Sequence, residues 1–351
     1  MASNSRDQIL KLLRGEKIDY VPNFSGMGSI TLHGLKQLGY QFNEVHVEPR
    51  KMAEAAASTH RFFGFESAVV PFDMGVEAEA LGAEVKYYDK RDDQVIYPTI
   101  SKKLADSVEK LEIRIPGNLP EAGRIPIVVE AIRILKQEIG NEIPVGAWVL
   151  GPFTELGQVV ELENLLKMSF KKQDLVHQHL DAMVEYLSSI LGLYVDAGAD
   201  FVTVREMGAT SSVLSPRLFE KLVLPHLQDL FGRIPSMNSG HRSVPKVLHI
   251  CGNTNPIIHF MAQSGASALS VDQLNDLAQT REKLPDMVLL GNYNPFDVLC
   301  NGTPEDVDRA IKEIVENGVD GIWPGCDIWP TVPPENMEAM IQATRRYGVR
   351  R

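Results

Sequence analysis

The chain is 351 residues long, 44% hydrophobic and 23% charged, with a formal net charge of −11. That balance suits a globular protein with a large core and excludes extensive disorder. The acidic excess, with no Lys/Arg-rich run, excludes nucleic acid as a partner, and no stretch approaches the roughly 20 apolar residues that a membrane span demands.

The opening stretch has neither an apolar signal core nor a transit-peptide composition, which predicts a cytoplasmic protein. Short apolar, β-branched runs then recur at 20–24, 67–71, 145–149, 201–204, 246–250, 268–271, 287–290 and 321–323. Amphipathic stretches separate them. One is a helix predicted over 175–195, stopped by Ala197-Gly198-Ala199; another covers 304–317, with Thr303 as N-cap and Gly318 as stop. Strands alternating with helices predict an α/β protein, read here as a single (β/α)8 barrel spanning 1–351. Periodicity alone leaves an open doubly wound sheet in play. The charge-rich, proline-containing stretch around 86–124 breaks the pattern and is expected to form an excursion outside the barrel.

Catalytic groups of such barrels lie at the C-terminal strand ends. Read there, the runs offer Asp73, Arg205, Glu206, His249, Cys251, Asp272, Asn292, Cys326 and Asp327. His249 and Cys251 are two residues apart, so on a strand both point to one face and can grip the same ion. Cys326 ends the last run, 75 residues on from Cys251. Imidazole and thiolate together are a zinc set, although buried packing is the ordinary fate of a lone His-x-Cys. Cys300 is read as packing, and an odd number of cysteines argues against a disulfide framework. Among the carboxylates, Glu206 and Asp73 are the expected catalytic groups. Glu79 is the expected fourth metal ligand, with Glu206 as the other acid for that position. Asn292, Trp323 and Trp329 are expected to line the cofactor pocket.

These residues resemble a known family. The run Leu248-His249-Ile250-Cys251-Gly252-Asn253, followed by Asn255-Pro256-Ile257, is similar to the corrinoid methyltransferases of the uroporphyrinogen decarboxylase superfamily, and in particular to methylcobamide:coenzyme M methyltransferases. Further matching stretches include Pro71-Phe72-Asp73, Gly123-Arg124-Ile125-Pro126, Gly151-Pro152-Phe153-Thr154 and Pro324-Gly325-Cys326-Asp327, and the likeness covers nearly the whole chain. It implies a barrel holding zinc through His249, Cys251 and Cys326. It also implies a corrinoid supplied by a partner protein and a small-molecule methyl donor or acceptor; a homodimer is compatible with it.

Two departures narrow the reading. The arginine-containing motif with which uroporphyrinogen decarboxylases bind tetrapyrrole propionates is replaced here by Val21-Pro22-Asn23-Phe24-Ser25-Gly26, so decarboxylation is not expected. After the fourth run, where the coenzyme M enzymes often carry Asp-Pro, this chain has Arg205-Glu206. The expected activity is methyl transfer between a corrinoid protein and a thiol. The alternatives are methyl transfer from a methoxyaromatic or methylated amine to reduced corrinoid, a substrate that Trp323 and Trp329 would suit, and transfer from methylcorrinoid to tetrahydrofolate.

Overall fold

The computed structural model describes residues 4–88, 95–234 and 243–350. Its strands are β1 (Ala68–Val70), β2 (Glu84–Lys86), β3 (Thr99–Lys102), β4 (Val145–Leu150), β5 (Phe201–Arg205), β6 (Lys246–Ile250), β7 (Ala268–Val271), β8 (Val288–Tyr293) and β9 (Gly321–Pro324). Seven form one parallel sheet in the order β1-β4-β5-β6-β7-β8-β9. Chain order equals spatial order apart from β2 and β3, which pair with each other as an antiparallel hairpin.

The first predicted run is not a full strand, yet it closes the ring. Asn23 forms a parallel bridge with Ile322 of β9. The Ile322 amide donates to Pro22 O (2.8 Å) and the Phe24 amide donates to Ile322 O (3.1 Å). On the other side the Glu66 amide donates to Asn23 O (2.9 Å) just before β1, and the Ser67 hydroxyl donates to Ser25 O. Pro22 has no amide hydrogen to give a ladder, so this eighth segment spans the gap with few bonds. Seven strands and one extended segment thus replace the eight strands expected.

Side chains alternate across the sheet with a period of two. Val145, Ala147, Val149, Val202, Val204, Leu248, Ile250, Leu269, Val271 and Leu289 belong to the core packed under the helices. Val69, Trp148, Leu150, Phe201, Val247, Ala268, Val288, Leu290 and Trp323 form a second, interior core with Phe24. Ile9, Leu10, Leu12 and Leu13, from the helix Ser5–Leu12 and its C-cap, join that interior core. Arg6 secures the helix by an ion pair of 2.7 Å to Asp200, the residue before β5. The helix therefore plugs the N-terminal end of the barrel and leaves the C-terminal end as the mouth.

The predicted helices are present as Gln173–Ala197, ended by left-handed Gly198 (φ +113°), and Pro304–Glu316. Thr303 caps the latter in a reciprocal box with Asp306. The expected excursion contains the β2–β3 hairpin and short 3-10 turns at Val108–Lys110 and Leu119–Glu121, then rejoins the fold at the helix Ile125–Glu138; residues 89–94 lie outside the described residues. Cys300 ends the π-helical segment Pro295–Cys300, with its sulfur 3.2 Å from Thr331 Oγ1. Among the described residues no helix is long and apolar enough to cross a membrane.

Behind the sheet, Glu77 of the helix Val76–Ala80 and Glu155 of the helix Pro152–Val159 are fully buried, and their carboxyl oxygens have no hydrogen-bond partner. Burial pushes Glu77 up to about 7, and burial plus the neighbouring Glu77 and Glu206 pushes Glu155 well above the carboxylate range. A carboxyl group raised in the folded state stabilises the fold below its unfolded value of ~4.3, and that stabilisation is lost as pH rises through the folded value. The urea midpoint should therefore fall between pH 5.5 and pH 8, and Glu77→Gln, which stays neutral, should fall less than the wild type. Equal slopes for the two proteins would show that Glu77 contributes nothing to this dependence.

Candidate metal centre at the barrel mouth

The last inward positions of successive strands lie side by side. In the parallel register Arg205 of β5 pairs with His249 of β6, and His249 with Ser270 of β7. Two residues beyond His249, Cys251 returns to the same face. Cys326 enters from the turn after β9. In that turn the Gly325 amide donates to Tyr293 O (2.9 Å), and a Cβ on Gly325 would lie 2.1 Å from Gln273 Oε1 and 2.9 Å from the Gln273 nitrogen. Only glycine lets the chain pass there, and so only glycine brings Cys326 to the mouth.

The result is a compact three-donor cluster. His249 Nε2 lies 3.0 Å from Cys251 Sγ, and Cys251 Sγ lies 3.5 Å from Cys326 Sγ. The ligand atoms of the three residues all fall within 4.8 Å of one another, and theirs is the one such group of three or more among the described residues. His249 is fully buried and both cysteines are partly exposed, so the sulfurs are the side reached from the mouth. The other ring nitrogen, Nδ1, is 2.9 Å from Ser270 Oγ. With its proton placed towards Ser270, the ring turns the Nε2 lone pair to the sulfurs. Either sulfur could donate across this contact; the neighbouring Cys326 and burial push the Cys251 thiol up, and the contacts with Cys251 and His249, with Arg205 nearby, hold Cys326 down.

Arg205 completes the electrostatics. Its guanidinium lies 4.4 Å from the Trp148 ring centroid and is ion-paired through both terminal nitrogens with Asp327, the neighbour of Cys326. Trp148 is itself fixed, donating its indole N–H to Pro71 O at 2.8 Å.

The expected carboxylates are placed elsewhere. Glu206 turns away to the start of the helix Pro152–Val159, accepting from the Phe153 amide (3.1 Å), the Thr154 amide (2.7 Å) and the Thr154 hydroxyl. Burial raises it to about 7 against these bonds. A Cβ on Gly151 would lie 2.3 Å from its carboxylate, so the glycine makes room for this anchor. Asp73 is saturated: Oδ1 accepts from the Gly75 amide and Arg124, and Oδ2 from His46 and Arg124. Burial alone would raise Asp73, but the His46 and Arg124 hydrogen bonds hold it well below the usual range. Glu79 accepts from Arg124 (2.6 Å) and from the Tyr87 hydroxyl, outside the three-donor cluster. Each of these acids is thus held by a cation or a helix start, and none of them is brought into the three-donor cluster.

Among the expected cofactor residues, Trp323 is fully buried in the barrel interior, edge-on to Phe24 at 5.2 Å, and so is no wall of an open pocket. Trp329 is 48% exposed and packs on Phe296, with ring centroids 5.0 Å apart. Asn292 ties the β7 and β8 loops together by donating to Asp272 O and Asn275 O. The sequence reading passed over Ser270, although the two-residue period of the 268–271 run already turned it inward. It also passed over His46, for which no local pattern gave a signal.

Residues 4–347 match the family model described as Uroporphyrinogen decarboxylase (URO-D). The methylcobamide:CoM methyltransferase MtbA of Methanosarcina acetivorans is 29% identical over 342 residues, covering 97% of this chain and 98% of the relative. The methylcobamide:CoM methyltransferase MtaA of Methanosarcina barkeri is 30% identical over 345 residues, with 97% and 98% covered. A solved methyltransferase from Methanosarcina mazei superposes with a TM-score of 0.90 at 30% identity, covering 98% of this chain and 99% of that one.

If Ser270 orients the imidazole, Ser270→Ala should lower the affinity for zinc or cobalt(II) by roughly 10- to 100-fold with the fold intact. Metal-competition titration with a chromophoric chelator measures this, and an unchanged affinity would remove Ser270 from the site.

Proposed function

We propose that this chain, which belongs to the uroporphyrinogen decarboxylase family, is a zinc-dependent methyltransferase that moves a methyl group between a corrinoid carried by a partner protein and a thiol acceptor. The observation that carries this reading is the His249, Cys251 and Cys326 cluster at the open end of the barrel. The donor chemistry fits zinc: one imidazole nitrogen and two sulfurs converge, the second imidazole nitrogen is occupied by Ser270, and no fourth His, Cys, Asp or Glu of the described residues joins them. Three protein donors leave a position for an outside ligand, as catalytic rather than structural sites do.

A zinc ion held by His249 Nε2, Cys251 Sγ and Cys326 Sγ would supply Lewis acidity, keeping an acceptor thiol deprotonated at neutral pH. The residues supply the rest. Ser270 fixes the ring, and the rigid turn at Gly325 fixes Cys326. The plugged N-terminal end confines approach to the mouth, where the substrate's cobalt-bound methyl must arrive. In the overall reaction a carbon–sulfur bond forms, the cobalt–carbon bond breaks with its electron pair left on cobalt, and the thiol proton is released.

The barrel interior lacks the arginine-bearing segment expected of a decarboxylase, since residues 20–28 carry no cation at all. The methoxyaromatic or methylamine alternative leaned on a pair of tryptophans. With Trp323 sealed in the core, that support is gone.

Purified protein should contain about one zinc per chain, and Cys326→Ser should lose most of it while keeping the wild-type circular dichroism spectrum. Wild type incubated with methylcobalamin and a thiol should bleach the methyl–cobalt absorbance, and the variant should be slower by at least about 100-fold. Zinc-free wild type, or bleaching that ignores loss of the metal, would overturn the proposal.

A further inference from the structure

We propose that a cavity at the plugged end of the barrel binds a small zwitterion of the amino-acid class, with the ammonium group at Glu66 and Asn23 and the anionic group at Arg345. The cavity has a volume of about 540 Å³, a size typical of small-molecule sites. Four parts of the chain meet there: Ser5 of the plugging helix, the ring-closing segment with Tyr20 and Asn23, the turn at 64–66 ahead of β1, and the end of the helix Pro334–Tyr347. None of the three metal-donor residues lines it.

Two opposite charges line this cavity without meeting. Glu66 is held by neutral donors: Oε2 accepts from the Ser5 and Tyr20 hydroxyls, both at 2.7 Å, and Oε1 from the Asn23 amide at 2.9 Å. No cation among the described residues is paired with it. The His60 ring, also in the lining, is taken up by Phe65 O (2.9 Å) and Glu142 (3.4 Å). Arg345, exposed at the rim, has neither a hydrogen bond nor an ion pair among the described residues. Its guanidinium lies against Gly64, where a Cβ would come within 3.3 Å of Nη2. A ligand carrying both charges would answer each with a charge-assisted hydrogen bond.

Asn23 sets the direction in which such a ligand lies. It is 1% exposed, and its Nδ2 donates to Thr344 Oγ1 (2.9 Å), whose hydroxyl in turn donates to Met340 O (2.8 Å). Its Oδ1 is left buried without a partner. Buried acceptors are costly to leave unmade, and an ammonium group brings three donors. An anion in that position would instead face the Glu66 carboxylate and a bare carbonyl oxygen, so the anionic end belongs at Arg345.

The site also bears on the ring closure. Asn23 bridges to Ile322 of β9 and accepts from the Glu66 amide. A ligand spanning Asn23, Glu66 and Arg345 would therefore tie the sparsely bonded closing segment to the last helix, far from the metal donors, and would stabilise the folded chain by mass action.

Calorimetric titration of the full chain with glycine, β-alanine and 4-aminobutyrate, each compared with acetate and ethylamine, tests the inference. At least one zwitterion should bind roughly 10- to 100-fold more tightly than either singly charged compound, the range for one charge-assisted hydrogen bond, and should raise the melting temperature. Arg345→Met alters an exposed side chain; it should bring zwitterion binding down to that of ethylamine with the circular dichroism spectrum unchanged. Glu66→Gln should weaken the zwitterion and ethylamine alike. Cys326→Ser, altered only at the mouth, should bind as wild type does, which separates this outcome from the thiol-transfer reading. Zwitterions that bind no better than acetate and ethylamine, or a preference that survives Arg345→Met, would overturn the inference. Binding lost in Cys326→Ser would assign the ligand to the mouth and overturn it as well.

Discussion

The two-residue repeat of a parallel strand is the constraint on which the rest of this structure hangs. Each strand must place one set of side chains under the helices and the alternate set in the barrel. Because neighbouring strands run in register, Arg205, His249 and Ser270 fall on the inner face in consecutive strands, with Cys251 two residues beyond. A slip of one residue in β6 would send His249 and Cys251 under the helices. Apolar layers below hold the register: Phe201, Val247, Ala268 and Val288 fill the interior and would lose that packing on any slip.

The site is also defined by what surrounds it without joining it. Carboxylates are plentiful near the mouth, as suits a chain with a net charge of −11, yet Asp73 and Glu79 are tied to Arg124 and Glu206 to a helix start. A free carboxylate beside the sulfurs would compete for the metal and repel an incoming thiolate. Tying these acids down leaves a small, sulfur-rich donor set with Arg205, paired to Asp327, on the same face. The same economy appears behind the sheet, where burial pushes the Glu77 and Glu155 carboxyls up and neither is paired with a base. Their neutral forms pack between helices where two charges could not be accommodated.

Rigidity at the mouth comes from backbone rather than from side-chain bulk. The Gly325 amide donates to Tyr293 O at 2.9 Å, where a Cβ would crowd Gln273, and Gly151 leaves room for the Glu206 carboxylate. Each is a close approach at the C-terminal end of a strand, where a small displacement would shift a functional side chain. Asn292 adds a third brace by bonding the carbonyls of Asp272 and Asn275.

The sequence by itself determined the inner and outer faces, most strand positions and the three residues that cluster at the mouth, His249, Cys251 and Cys326. Those depend on periodicity and on residues at strand ends, which are local properties. The run 268–271 is a strand over the same residues, and the Thr303 cap stands where the helix signal put it. Residues 20–24 read as a strand because their composition is apolar, but Pro22 limits them to bridging bonds, and the closure of the ring became visible only when both edges were in place. The fates of the charged groups were decided by tertiary structure alone. Asp73 meets Arg124 across 51 residues, Glu206 meets Thr154 across 52, and Arg205 meets Asp327 across 122. Coulombic and hydrogen-bond partners are chosen by proximity in space, and for side chains on different strands that proximity exists only once the barrel has closed.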